Sequence, residues 1–465
     1  DFAMAYWGEA MTYNQPIWHR QQAEKGRSAM ERLGKNLDKR LAKAGTDLEK
    51  DLIRSLNVLY GEGEKADRDQ AYAEFMSELY EKYPGQQEVA AFYALSLLGS
   101  VQAGRDKAVF EKGAGIAQSI IRENPSHPGA LHYLIHSYDD PAHARLALDA
   151  ANSYSKVAPD AAHALHMPSH IYVALGLWQD VVRSNIASWN ASVSRMKRKE
   201  LDQDAVSYHA LHWLLYGYLQ QGNIPMADSI MRNMQRYVSI SPSISARSYL
   251  IEMTGNYLAE TGDWTHPFAD VEVDLDSLNI VNQAEYYFIK GMRDREKGLG
   301  DFLFMTTDKL RRERERAELF VSDEGLPLCS SASSFIFPNR LDVQQSKVME
   351  LLLTAEYADL QGNDKKAEQL FREAVELEAD LSYSYGPPVI PYPPNQIYGD
   401  WLSERGRHAE ALDQYEKALV RGPGRTRVLE SALASAKALG LDEKVAKFQE
   451  ELSTPGKSDG NDQGD

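Results

Sequence analysis

One cysteine, Cys329, in 465 residues excludes an intramolecular disulfide and every CxxC metal or redox site. A lone thiol fits a reducing compartment and an oxidising one equally well. Positive charge is also scarce: 51 Lys and Arg face 68 Asp and Glu, a formal net charge of −17. A nucleic-acid partner, whose phosphates demand a basic face, is therefore not expected. The two basic runs, Met196 to Lys199 and Lys309 to Arg316, are interrupted or followed by Glu and read as solvated helix faces. No apolar run reaches the roughly 18 residues that cross a bilayer, so no membrane span is expected. Catalytic signatures are missing too. There is no HExxH and no GxSxG, and Gly61-Glu62-Gly63-Glu64-Lys65 has the glycines of a phosphate loop without its spacing or its Ser/Thr.

The chain opens at Asp1-Phe2-Ala3-Met4 abruptly inside a helical pattern, with no positively charged segment leading into an apolar one. This implies a leader removed upstream. The reading leans to an exported, periplasmic protein, with the cytoplasm as the alternative.

What the chain does have is helical periodicity nearly throughout, with Ala, Leu, Tyr, Glu and Lys recurring at helical spacing and no convincing period-two stretch. From Tyr398 to Leu419, one helix ends at Gly406 and a second follows, with Ala411, Tyr415 and Ala418 on one face. Met349 to Glu378 repeats the design with Gly362, Ala367, Phe371 and Ala374. Gly176, Gly222 and Gly262 mark further turns between helices, and Pro84, Pro125, Pro159 and Pro242 close further units.

These units resemble the tetratricopeptide repeat (TPR), about 34 residues in two antiparallel helices with a small residue at the crossing. The chain reads as a histidine-rich bacterial variant of that family, and the resemblance covers most of residues 1–450. It implies an all-α superhelical array of TPR-like antiparallel helix pairs, with ligands bound on the concave face. Irregular insertions interrupt it near 14–65, 263–281, 322–341 and 382–396. The last is rich in Pro and Tyr and cannot continue a helix. The expected organisation is an N-terminal array over 1–262 carrying the histidines, an irregular connection over 263–341, C-terminal repeats over 342–452 and a disordered tail over 453–465.

Of twelve histidines, seven fall in three short pieces: LHYLIHSYD (131–139), HALHMPSH (163–170) and YHALHW (208–213). His132 and His136 are four apart, with Asp139 a turn later. His166 and His170 repeat the spacing, with His163 a turn before, and His209 and His212 are three apart. Residues three or four apart share a helix face, so each pair can reach one ion. In repeat register, His132, His166 and His212 fall at one position, His136 and His170 at a second, and His163 and His209 at a third. Glu252 takes the first position in the next repeat. Adjacent helices lie roughly 8–10 Å apart, close enough for imidazoles from neighbouring repeats to meet.

The candidate metal ligands are therefore His132, His136, His166, His170 and His212, with His163, His209, Asp139 and Glu252 in support. Without thiolates the set suits copper, zinc, iron or nickel. A histidine-only set favours copper, with zinc as the alternative, and Asp139 with two histidines would suit iron. Seven imidazoles exceed one coordination sphere, so either two ions bind or the surplus supports the ligands and moves protons. Tyr133, Tyr138, Tyr172, Tyr208, Trp213 and Tyr216 either wall the site or fill the core.

Three functions follow. One is a metal-dependent oxidoreductase, using copper or iron on a small molecule or peptide held in the groove. The second is metal storage or delivery. The third is a non-catalytic scaffold binding a partner's peptide in the same groove.

Overall fold

The computed structural model describes residues 2–102, 104–321, 338–383 and 386–453. Nearly all of them are helical, and the one sheet among them is a two-residue antiparallel pairing of Asn14–Gln15 with Arg20–Gln21. The fold is an all-α superhelical array of TPR-like helix pairs, as the periodicity requires. The turn at Gly406 shows how a pair is made. The helix Pro394–Glu404 ends there and His408–Arg421 begins. Gly406 takes a φ of 71° that a side chain would resist, and Tyr415 packs against the Cβ-less Gly399. Arg340–Leu360 and Asp364–Ala379 form the preceding pair, with Ala367, Phe371 and Ala374 buried between them.

The chain divides into two compact units, Asp1–Tyr138 and Asp139–Asp323 with Ser330–Asp465. The division falls at the end of the helix that carries His132 and His136, so the histidines are shared between the units. Unit 1 holds the insertion over 14–65. Within it the helix Asp47–Leu59 is opened by a reciprocal cap between Thr46 and Glu49. Its last helix is Pro128–Tyr138. The segment 322–337, with Cys329, and the tail from 454 onward lie outside the described residues.

Unit 2 closes on itself. The turn at Gly176 meets the turn at Gly424, where a Cβ on Gly176 would stand 3.2 Å from the Gly424 Cα. Trp178 Nε1 donates to the Gly424 carbonyl at 2.8 Å. Thr426 donates to Gln220 through its backbone N–H at 2.9 Å and its hydroxyl at 2.5 Å. Arg425 donates to Glu260 Oε1 at 2.5 Å, in an ion pair buried on both sides. The N-terminus of the helix Thr426–Ala438 is thus pinned to the C-terminal ends of Tyr208–Gln220 and Ile244–Thr261.

The Pro- and Tyr-rich stretch is packed rather than loose where it is described. Ile390 and Tyr392 are buried, Tyr392 stacks on Trp264 with centroids 6.0 Å apart, and the Pro388 carbonyl accepts from Asn256 Nδ2 at 2.9 Å. The basic run at 309–316 is an ion-paired face of the helix Gly300–Glu318, with Arg314 Nε on Glu350 at 2.6 Å.

Candidate metal centre

The histidines of unit 2 come from three adjacent helices. Ala162–His166 carries His163 and His166, Pro168–Ala174 carries His170, and Tyr208–Gln220 carries His209 and His212. Pro168 stands at the first position of its helix, where its missing N–H costs nothing, and Met167 before it keeps helical dihedrals. The spacing of four between His166 and His170 survives this junction, and their ring centroids are 5.2 Å apart. His209 reaches across from the next repeat to a centroid distance of 4.4 Å from His166.

His166, His170 and His209 each offer a ligand atom within 4.8 Å of the other two. Each has its Nδ1 against an oxygen. His166 Nδ1 lies 2.7 Å from Asn185 Oδ1, His170 Nδ1 3.1 Å from Asp139 Oδ2, and His209 Nδ1 3.2 Å from the Tyr249 hydroxyl. The orientation of Asn185 is itself fixed, because its Nδ2 donates to the Val181 carbonyl at 2.8 Å. Its Oδ1 must therefore accept, which places the His166 proton on Nδ1 and the lone pair on Nε2. The Nε2 atoms of His166 and His209 are buried and make no hydrogen bond among the described residues. An unpaired ring nitrogen backed by an oxygen on the far side of the same ring is the arrangement that orients a metal-ligating imidazole.

The electrostatics agree. Burial holds the His166 pKa well below its usual value, and His209 and His170 push it further the same way, against the bond from Asn185. The ring stays neutral, which is the form that binds metal. Trp213 lines the group, stacked on His170 at 4.9 Å and edge-on to His166 at 4.8 Å. Of the aromatics flagged in the sequence, it is the one set against this trio.

The other candidates are placed differently. His212 is turned away: its Nε2 lies 2.7 Å from Asn256 Oδ1 and its Nδ1 3.5 Å from Glu252 Oε2. Glu252 is also held by Asn282 Nδ2 at 2.9 Å. Asp139 backs His170 as an orienting partner. His163 lies close enough for its field to act on His166. His132 and His136 face each other in unit 1, with ring centroids 4.8 Å apart. Sequence reasoning missed Asn185, Tyr249 and Asn256. Each sits on a helix face whose neighbour depends on how helices cross, and no local pattern announces it.

No helix among the described residues is long and apolar enough to cross a membrane. No protein-family model matches the chain, and no curated protein matches it. Among solved structures it is similar to an IFIT1 monomeric mutant with Gppp-AAAA, at 12% identity and a TM-score of 0.39 over 93% of this chain and 86% of that one. Human IFIT1 dimer with PPP-AAAA gives 10% identity and a TM-score of 0.39 over 97% and 94%. Naa15/Naa10 bound to HypK-THB gives 10% identity and a TM-score of 0.23 over 97% and 78%. The first two contain Gppp-AAAA and PPP-AAAA, and the exclusion of nucleic acid drawn above from net charge is withdrawn. A charge summed over a whole chain does not describe a local groove, and −17 is no ground for ruling that class of partner out.

Proposed function

We propose that unit 2 binds a transition-metal ion through His166, His170 and His209, with Asp139, Asn185 and Tyr249 orienting the three rings. The observation that carries this reading is the buried, unpaired Nε2 of His166, whose tautomer Asn185 dictates. A buried polar atom without a partner costs roughly 1–3 kcal/mol, and a metal ion supplies what it lacks. Three imidazoles without thiolate favour copper among the divalent first-row ions, with zinc and iron as alternatives. The protein acts by holding that ion, and a position left open by three protein ligands is where a small substrate would bind if the ion turns over.

The test is elemental analysis of protein made without a histidine tag, beside a His166→Ala/His209→Ala variant. Stoichiometric copper that the variant loses supports the reading, and zinc or iron in its place changes the metal and keeps the site. Wild-type protein that arrives metal-free and takes up none of the three overturns it.

A further inference from the structure

A second site lies in unit 2, away from the three ring nitrogens. Where the array closes, a partly open cavity of about 90 Å³ lies between the first helices of the unit and the last. Trp178 and Tyr216 form its aromatic floor, both almost fully buried and edge-on to each other at 5.7 Å. Leu381 and Val389 extend that apolar surface.

The lining also carries polar groups, and they are incompletely used. Arg425 is 4% exposed. It spends Nη2 on Glu260, but its Nε is buried without a hydrogen-bond partner among the described residues. Asn395 Oδ1 is likewise buried and unpaired. Arg421 also lines the cavity, and no ion pair holds its guanidinium among the described residues. Glu378 is the acidic group there. Burial raises its pKa against the pull of Arg421 and Arg425. What these groups ask for is an anion with oxygens to accept from two guanidinium groups.

We propose that this cavity binds a small monocarboxylate, its carboxylate against Arg421 and the Arg425 Nε and its short carbon chain against Trp178 and Tyr216. The size fits. Benzene's six heavy atoms fill an engineered cavity of about 150 Å³, so on that scale this one, at about 90 Å³, holds about three or four, as in acetate. The apolar floor favours a carbon chain over the fully polar surface of a phosphate. The site does not rest on the metal reading, because none of its polar groups touches the three imidazoles.

Acetate is the probe, followed by ligand-observed NMR and calorimetry at fixed ionic strength, with acetamide, ethylamine and inorganic phosphate as controls. Saturable acetate binding is expected, at least about tenfold tighter than acetamide, since the amide forfeits the charge-assisted bonds. Arg421→Gln removes a half-buried side chain with no ion pair to lose, so the fold should stand while acetate affinity falls about tenfold or more. The His166→Ala/His209→Ala variant should bind acetate as wild type does. Equal binding of acetate and acetamide, no effect of Arg421→Gln in a folded protein, or phosphate binding as tightly as acetate would each overturn the assignment.

Discussion

Asn185→Leu is the most informative single change. Leucine keeps the branched shape of asparagine, with bulkier methyl groups, and removes both the oxygen that accepts from His166 Nδ1 at 2.7 Å and the Nδ2 that donates to the Val181 carbonyl. Two consequences follow from losing the oxygen. Without metal, the His166 N–H is left in a buried site, at a cost of about 1–3 kcal/mol for an unpaired donor. With metal, the proton must stay on Nδ1 while Nε2 binds, so that penalty is common to both states and cancels from the affinity, and what weakens binding is the lost orientation of the ring. Removal of such an orienting partner typically lowers metal affinity by about 10–100-fold. Ser169 Oγ, 3.3 Å from the same nitrogen, can take up part of the bond, which puts the expectation near tenfold. Competition against a chelator of known affinity gives the binding constant, and urea unfolding of the metal-free protein gives the stability. Unchanged metal affinity in a folded Asn185→Leu protein would refute the argument that this amide sets the tautomer.

His19 titrates against the fold. Burial, then the field of Lys65, lowers its pKa from 6.5 to about 4. The native state therefore resists the proton that the unfolded chain accepts, so the stability it contributes is complete above pH 6.5 and is lost as pH falls towards 4. The loss runs at about 1.4 kcal/mol per pH unit. His19 also holds a φ of 51°, which asparagine tolerates well, so His19→Asn should flatten the fall in urea midpoint between pH 7 and 5. Gly386→Ala should destabilise by about 2–4 kcal/mol, since it meets both a φ of 91° and the Trp213 ring at its Cβ, as thermal unfolding would show. Glu260→Gln strands the buried Arg425 charge and should cost about 3–5 kcal/mol in the same measurement.

The turns between helices were legible because their signal is local. Gly176, Gly222, Gly262, Gly362 and Gly406 were each marked from sequence, and each sits at positive φ between two helices. The pairing of His132 with His136 and of His166 with His170 was legible for the same reason, since a spacing of four fixes the face before anything packs. Which repeat partner joins His166 was not. Register put His212 beside it, and His209 stands there instead, because Asn256 and Glu252 hold His212 elsewhere. That choice is made by contacts between helices far apart in sequence. Arg425 was invisible for a stronger version of the same reason, as its role depends on the two ends of unit 2 meeting.

An open repeat array can fold and fray one neighbour at a time. A closed one cannot, because its last helices hold its first ones. Joining Gly176 to Gly424 spends the entropy of a very long loop before any contact rewards it, so closure belongs late in folding. The order of synthesis sharpens the point. The helices that carry His166, His170 and His209 leave the ribosome long before Gly386 arrives to lie against Trp213. During that interval the three imidazoles can assemble with their wall still uncovered. The finished chain then seals from its C-terminal side, and truncation there would open unit 2 far upstream of the cut.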